Sequence, residues 1–178
     1  MSEPLNLLFP LDRFYRAAGR PVPEVTGIDG AMMPQPYRQL LVGDHDMTPT
    51  LEAFHGDTLH LRLLERTVTE SVISRLVVLL TDEKARPVEF GAIDINLDVF
   101  PADAREAVLG CRMPLGGILA HYEITHESHP RGFFQVTPDD FIQDALCTNW
   151  TGPLYGRRNA LTMPNGAIIA DILEILPP

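Results

Sequence analysis

A carboxylate inside a hydrophobic strand needs either a partner or a task, and the last strand of this chain carries two. The segment Ala167-Ile168-Ile169-Ala170-Asp171-Ile172-Leu173-Glu174-Ile175-Leu176 reads as buried on both faces. Side chains alternate along a strand, so Asp171 and Glu174 point to opposite faces and at least one meets something other than bulk water. Arg75 sits in similar surroundings, within Ile73-Ser74-Arg75-Leu76-Val77-Val78-Leu79-Leu80. Its planar guanidinium fork suits bidentate recognition of a ligand carboxylate. The structural alternative is a snorkelling arginine, or one paired with Glu89 or Glu174.

His121, His126 and His129 lie within nine residues. Their spacing has no single-face helical logic, and on a strand only His121 and His129 would share a side. No metal site is expected from them. Gly116-Gly117 stands alone as a glycine-rich signal, and no serine occupies a nucleophile-elbow context, so no cofactor is expected.

Composition narrows the partners. A chain of 178 residues, 45% hydrophobic and 21% charged, suits one globular domain spanning 1–178. Its 24 acidic and 14 basic residues give a formal net charge of −10, so a nucleic acid or an anionic membrane would be approached against the field. A small anionic ligand then needs local arginines and backbone N–H groups. Cys111 and Cys147 lack a metal-ligand spacing and are too few for a disulfide framework. The amino terminus shows no basic segment leading into an apolar core, and runs such as Leu76 to Leu80 are far shorter than the ~20 residues of a membrane helix. A soluble cytoplasmic protein with a small-molecule partner is expected.

The elements that must hold Arg75 and Glu174 read as α+β. Residues 1–40 are rich in proline and glycine and form an irregular surface wrap, with one candidate helix from Leu11 to Gly19. Thr48 as N-cap, Pro49 at the first helical position and Gly56 beyond the end define a helix of about two turns. Strands follow at Thr58–Arg66, Val72–Thr81 and Pro87–Val99, then a helix from Pro101 to Leu109 closed by Gly110, and a short helix beginning at Pro114. Strands at Tyr122–Thr125, Gly132–Val136, Leu154–Met163 and Ala167–Leu176 complete a run of antiparallel strands with short helices on one side. The last two form a hairpin through the Asn165-Gly166 turn.

Several of these segments, in order, resemble chorismate lyase. They are Leu40-Leu41, Asp46-Met47-Thr48, Arg75 to Asp82, Pro114-Leu115-Gly116, Leu154-Tyr155-Gly156-Arg157-Arg158 and Leu173 to Pro178. The resemblance implies a single domain with an antiparallel sheet of about six strands and two helix-turn-helix flaps over a buried ligand. It places the ligand contacts on Met47, Arg75, Leu115 and Glu174, with Arg75 and Glu174 as the catalytic pair. It also implies a monomeric cytoplasmic lyase that needs no metal or cofactor. Chorismate would give pyruvate and 4-hydroxybenzoate, or a related hydroxybenzoate, for ubiquinone or secondary-metabolite synthesis.

In that reading Arg75 holds the ring carboxylate, helped by a main-chain N–H near Leu115. Glu174 faces the ether or future phenol oxygen as proton donor or acceptor, and Met47 covers the ring. The family carries an arginine soon after the glycine that corresponds to Gly91, where this chain has Ala92-Ile93. Arg157 or Arg158 would then serve the second substrate carboxylate, and a one-residue insertion near Pro164-Asn165 leaves Asp171 as a rival to Glu174. Two alternatives stand beside the lyase. One is a non-catalytic binder of small aromatic acids, since the same architecture serves as an effector-binding domain in transcription regulators, although the chain has no basic helix suited to DNA. The other is a diverged lyase acting on another enolpyruvyl or cyclic carboxylic acid.

Overall fold

Four of the strands are almost uniformly buried, because the sheet they form is covered on both faces. The computed structural model describes residues 5–178. In it β1 (Val25–Ile28), β2 (Leu59–Val68), β3 (Val72–Thr81), β4 (Pro87–Asn96), β5 (Glu127–Val136), β6 (Leu154–Thr162) and β7 (Ile168–Leu176) make one sheet. The strand order is β1-β5-β6-β7-β4-β3-β2, and every neighbouring pair is antiparallel. The expected count of about six becomes seven because β1, drawn from the proline-rich leading segment, adds an edge strand beside β5.

One face packs on α1 (Leu11–Ala17) and α6 (Asp140–Ala145). Leu76, Val78, Phe90 and Leu173 meet Leu11, Phe14, Tyr15 and Ile142 there. Residues 5–40 therefore do more than wrap the surface: Leu8, Leu11, Phe14 and Tyr15 are core residues. The opposite face carries two helix-turn-helix flaps, α2 (Tyr37–Leu41) with α3 (Met47–His55), and α4 (Ala102–Gly110) with α5 (Leu115–His121). Helices thus cover both faces rather than one, which is why β3 and β7 tolerate so few polar residues.

Local chemistry explains the shifted boundaries. Helix α3 starts at Met47, with Asp46 as the extended N-cap and Thr48 inside the first turn. The Asp46 carboxylate makes no cap hydrogen bond because it is turned to His126, 2.7 Å away. Helix α4 runs through Gly110, and Cys111 takes the left-handed conformation that ends it. Tyr122–Thr125 is a turn rather than a strand, with Glu123 at φ 52°. Strand β5 begins at Glu127, five residues before the expected Gly132, and slips register between Pro130 and Gly132, where proline offers no N–H to the ladder.

Candidate ligand site

The alternation of the central strands sorts their charges onto two faces. Asp171 and Asp94 are opposite one another across β4 and β7. Each carboxylate is met by an arginine: Arg158 donates to Asp171 at 3.0 Å, and Arg13 pairs with Asp94, which also accepts from Ser74 at 2.7 Å. Arg158 stacks on Phe9, with its guanidinium carbon 4.7 Å from the ring centroid. Asp171 and Arg158 therefore belong to the α1 side and take no part in the site.

Glu174 points the other way, beneath the flaps, where it lines a cavity together with Arg75, Met47 and Leu115. The structure thus brings those four residues together and leaves Arg158 and Asp171 out. A cavity of about 60 Å3 lies between the sheet and the flaps. Apolar walls come from Leu61, Val77, Leu79, Ile93, Leu161 and Ile172. The flaps meet tightly over it: a Cβ at Gly116 of α5 would lie 3.1 Å from Thr48 Oγ1 of α3, tight enough that the neighbouring side chain would have to shift.

Arg75 is the notable charge. It is 1% exposed, and its Nε and Nη1 meet no acceptor. Burial lowers its pKa from the ordinary arginine value, with the nearby Cys111 thiol acting in the opposite direction. Arginine stays protonated even so, which leaves a buried cation whose donors face the cavity without a carboxylate. Neither Glu89 nor Glu174 supplies one.

Glu174 is instead the partner of Arg157, its register neighbour on β6. Arg157 is fully buried and donates through Nε to the Glu174 carboxylate. Its other nitrogens donate to the carbonyls of Leu41 at 3.3 Å, Gly43 at 3.2 Å and His45 at 3.0 Å. This side chain ties the sheet to the α2–α3 flap, with four of its five N–H groups taken up, and it does not line the cavity. With Ala92 in place of an arginine, Arg75 is the one cation among the described residues lining the cavity.

Glu89 is the polar residue that sequence reasoning treated only as an ion-pair partner. Its register partner is Leu79, four positions along β3 from Arg75, an offset of ~13 Å along the sheet. It is 5% exposed and its Oε2 has no partner. Oε1 lies over Gly91, where a Cβ would come within 2.9 Å of it. Burial pushes the Glu89 carboxyl well above the usual glutamate range; Glu174 adds to the rise and Arg157 opposes it. The signal that could have marked Glu89 is parity: in register with β3 it shares the face of Arg75. Asn159, also on this face, bonds to Ser128 at 2.9 Å. Among the described residues no cluster of His, Cys, Asp and Glu could hold a metal.

The sequence matches no family model and no curated protein. The fold does match solved structures. Over 76% of its length the chain aligns with PhnF from Mycobacterium smegmatis at a TM-score of 0.58 and 12% identity, covering 64% of that chain. Against the effector domain of PhnF it covers 90% of that chain and 76% of its own, with a TM-score of 0.57 and 13% identity. A transcriptional regulator of the GntR family from Bacillus cereus aligns at a TM-score of 0.48 and 12% identity, over 67% of this chain and 92% of that one. The chain thus spans under two thirds of full PhnF and most of its effector domain.

These likenesses establish an α+β fold shared with an effector domain. The solved structures that share it are PhnF and its effector domain, which overturns the expected carbon–oxygen lyase. The likenesses do not carry chorismate turnover, pyruvate release or supply to ubiquinone synthesis. At Glu174 the carboxylate accepts from Arg157 Nε. No helix among the described residues is long and apolar enough to cross a membrane.

Proposed function

We propose that this protein is a non-catalytic binder of a small aromatic carboxylic acid, held between the sheet and the two flaps. The observation that carries the reading is Arg75, a buried guanidinium whose Nε and Nη1 meet no acceptor in the protein. A ligand carboxylate would accept bidentately from one edge of the guanidinium, side-on from Nε and Nη2 or end-on from Nη1 and Nη2. The apolar wall of Val77, Leu79, Ile93 and Ile172 suits an aromatic ring, and Met47 and Leu115 close over it from the flaps. Likeness to an effector domain supports binding as the task of the fold.

Isothermal titration calorimetry with benzoate and 4-hydroxybenzoate tests it. Saturable one-to-one heats that disappear in Arg75→Ala are the expected result. Absence of heat with both acids, or binding that survives Arg75→Ala, would refute the reading. Incubation with chorismate is expected to leave it intact, with no pyruvate formed.

A further inference from the structure

We propose that Glu89 makes the end of the pocket away from Arg75 a hydrogen-bond donor, so that the ligand is a monocarboxylate carrying an uncharged oxygen acceptor on that side. The inference rests on the Arg75 reading and adds the chemistry of the opposite end.

Glu89 has little reason to be buried on structural grounds alone. Its Oε2 bonds to nothing in the protein, although the residue is 5% exposed and lines the cavity. Its carboxyl lies over Gly91, the position opposite Glu174 in the register of β4 and β7. The charged groups that act on it are Glu174 on β7 and Arg157 on β6, while Arg75 on β3 and Asp46 ahead of α3 line the same cavity.

Of these, Arg157 already neutralises Glu174 and caps three flap carbonyls. An ionised Glu89 would be a second carboxylate beside the same arginine, in a wall that excludes water. The neutral form relieves that repulsion and turns Glu89 into an O–H donor. Arg157 pairs with Glu174 and Asp46 with His126, which leaves Arg75 as the one cavity cation without a counter-ion. One ligand carboxylate cancels it, and a second would be left uncompensated.

The donor at Glu89 selects what the far end of the ligand carries. An ether, carbonyl or hydroxyl oxygen accepts from it, whereas a methylene leaves it unmet. An ammonium would be accommodated only by ionising Glu89 and releasing a proton. Binding of the preferred monoanion is therefore expected to weaken as rising pH ionises Glu89, and the neutral isostere Glu89→Gln removes that dependence.

Calorimetry with three para-substituted benzoates tests the proposal on the wild-type protein, Glu89→Leu and Glu89→Gln. 4-Methoxybenzoate and 4-ethylbenzoate differ by one oxygen for methylene exchange, and 4-(aminomethyl)benzoate carries a cation at the same end. The wild type is expected to favour the methoxy over the ethyl compound roughly tenfold, as one hydrogen bond of about 1.4 kcal/mol would give. Glu89→Leu should abolish or invert that preference, Glu89→Gln should retain it, and the cationic compound should bind weakest.

Equal affinities for the methoxy and ethyl compounds, both lost in Arg75→Ala, would overturn this inference and leave the carboxylate site standing. Preference for the aminomethyl compound with proton release, read from buffers of different ionisation enthalpy, would overturn it as well. Failure of all three to bind would remove both readings. If Glu89→Leu does not fold, the contrast between wild type and Glu89→Gln across pH decides.

Discussion

Replacing Arg75 by methionine should make the empty protein more stable and useless as a binder. The guanidinium is 1% exposed, and two of its nitrogens meet no acceptor. Each unmet buried donor costs roughly 1–3 kcal/mol, so the pair costs about 2–6 kcal/mol in the unliganded protein. Methionine keeps most of the stem's packing against the sheet and carries no charge, while the smaller head leaves a void that offsets part of the gain. A net increase of about 1–3 kcal/mol follows, worth roughly 2–4 °C in Tm per kcal/mol for a chain of this size.

Urea denaturation and thermal melts, each with and without 4-hydroxybenzoate, read both sides of the exchange. At one hundred times Kd the wild type should gain about 2.7 kcal/mol from ligand, and Arg75→Met should gain nothing. A variant less stable than the empty wild type would show that the guanidinium is satisfied within the protein. Ligand stabilisation of the variant equal to that of the wild type would show that Arg75 is not the anchor. Either result refutes the reasoning.

Other perturbations follow from the same contacts. Arg157→Met removes the partner of a buried Glu174 and three carbonyl contacts; it should destabilise by about 3–5 kcal/mol, and adding Glu174→Leu should recover part of that loss in urea melts. The Glu89 carboxyl is raised by burial and by Glu174, so above the ordinary value of 4.5 the folded state holds a proton that the unfolded chain has lost. Wild-type stability therefore falls relative to Glu89→Gln as pH rises from that value towards the raised one, by up to about 1.4 kcal/mol per pH unit; parallel pH profiles for the two proteins would contradict it. His126 is desolvated, which disfavours its charge, yet its contacts with the Ile124 carbonyl and Asp46 outweigh this and raise its pKa. Asp46→Asn should lower the His126 pKa measured by NMR, and the stability that this contact gives the α3 flap should fade in the wild type as pH rises through the raised value.

Much of this architecture could be read from local pattern. The continuous apolar run of β3, the alternation of β2 and the Asn165-Gly166 turn are short-range signals. So are the glycine stop after α3 and the Pro-Leu-Gly start of α5. Arg75 and Glu174 stood out because each is a charge in an apolar strand, and the structure places both under the flaps. The elements that escaped are short and proline- or glycine-flanked: β1, α2 and α6 have 4, 5 and 6 residues. Pairing and packing with the larger sheet, rather than their own propensities, hold such pieces.

Partner choice was the other gap, because it depends on register. Glu89 becomes a pocket residue only once β3 and β4 are aligned, and Asp171 is resolved from Glu174 only once the faces are assigned. The Arg157–Glu174 pair was closer to view. Counting back in step along both strands from the Asn165-Gly166 turn sets these two residues opposite each other, as the structure does. The lyase expectation rested on the same pocket residues. Those residues describe how an acid is held and are silent on whether it reacts.

A crystal structure of the protein with 4-hydroxybenzoate tests the central claim most directly. The account predicts the ligand carboxylate on one edge of the Arg75 guanidinium, at Nη2 and either Nε or Nη1, at about 2.7–2.9 Å, with the ring beneath Met47 and Leu115 and the hydroxyl towards Glu89. A ligand whose carboxylate lies away from Arg75, or a cavity left empty at saturating concentration, would contradict it.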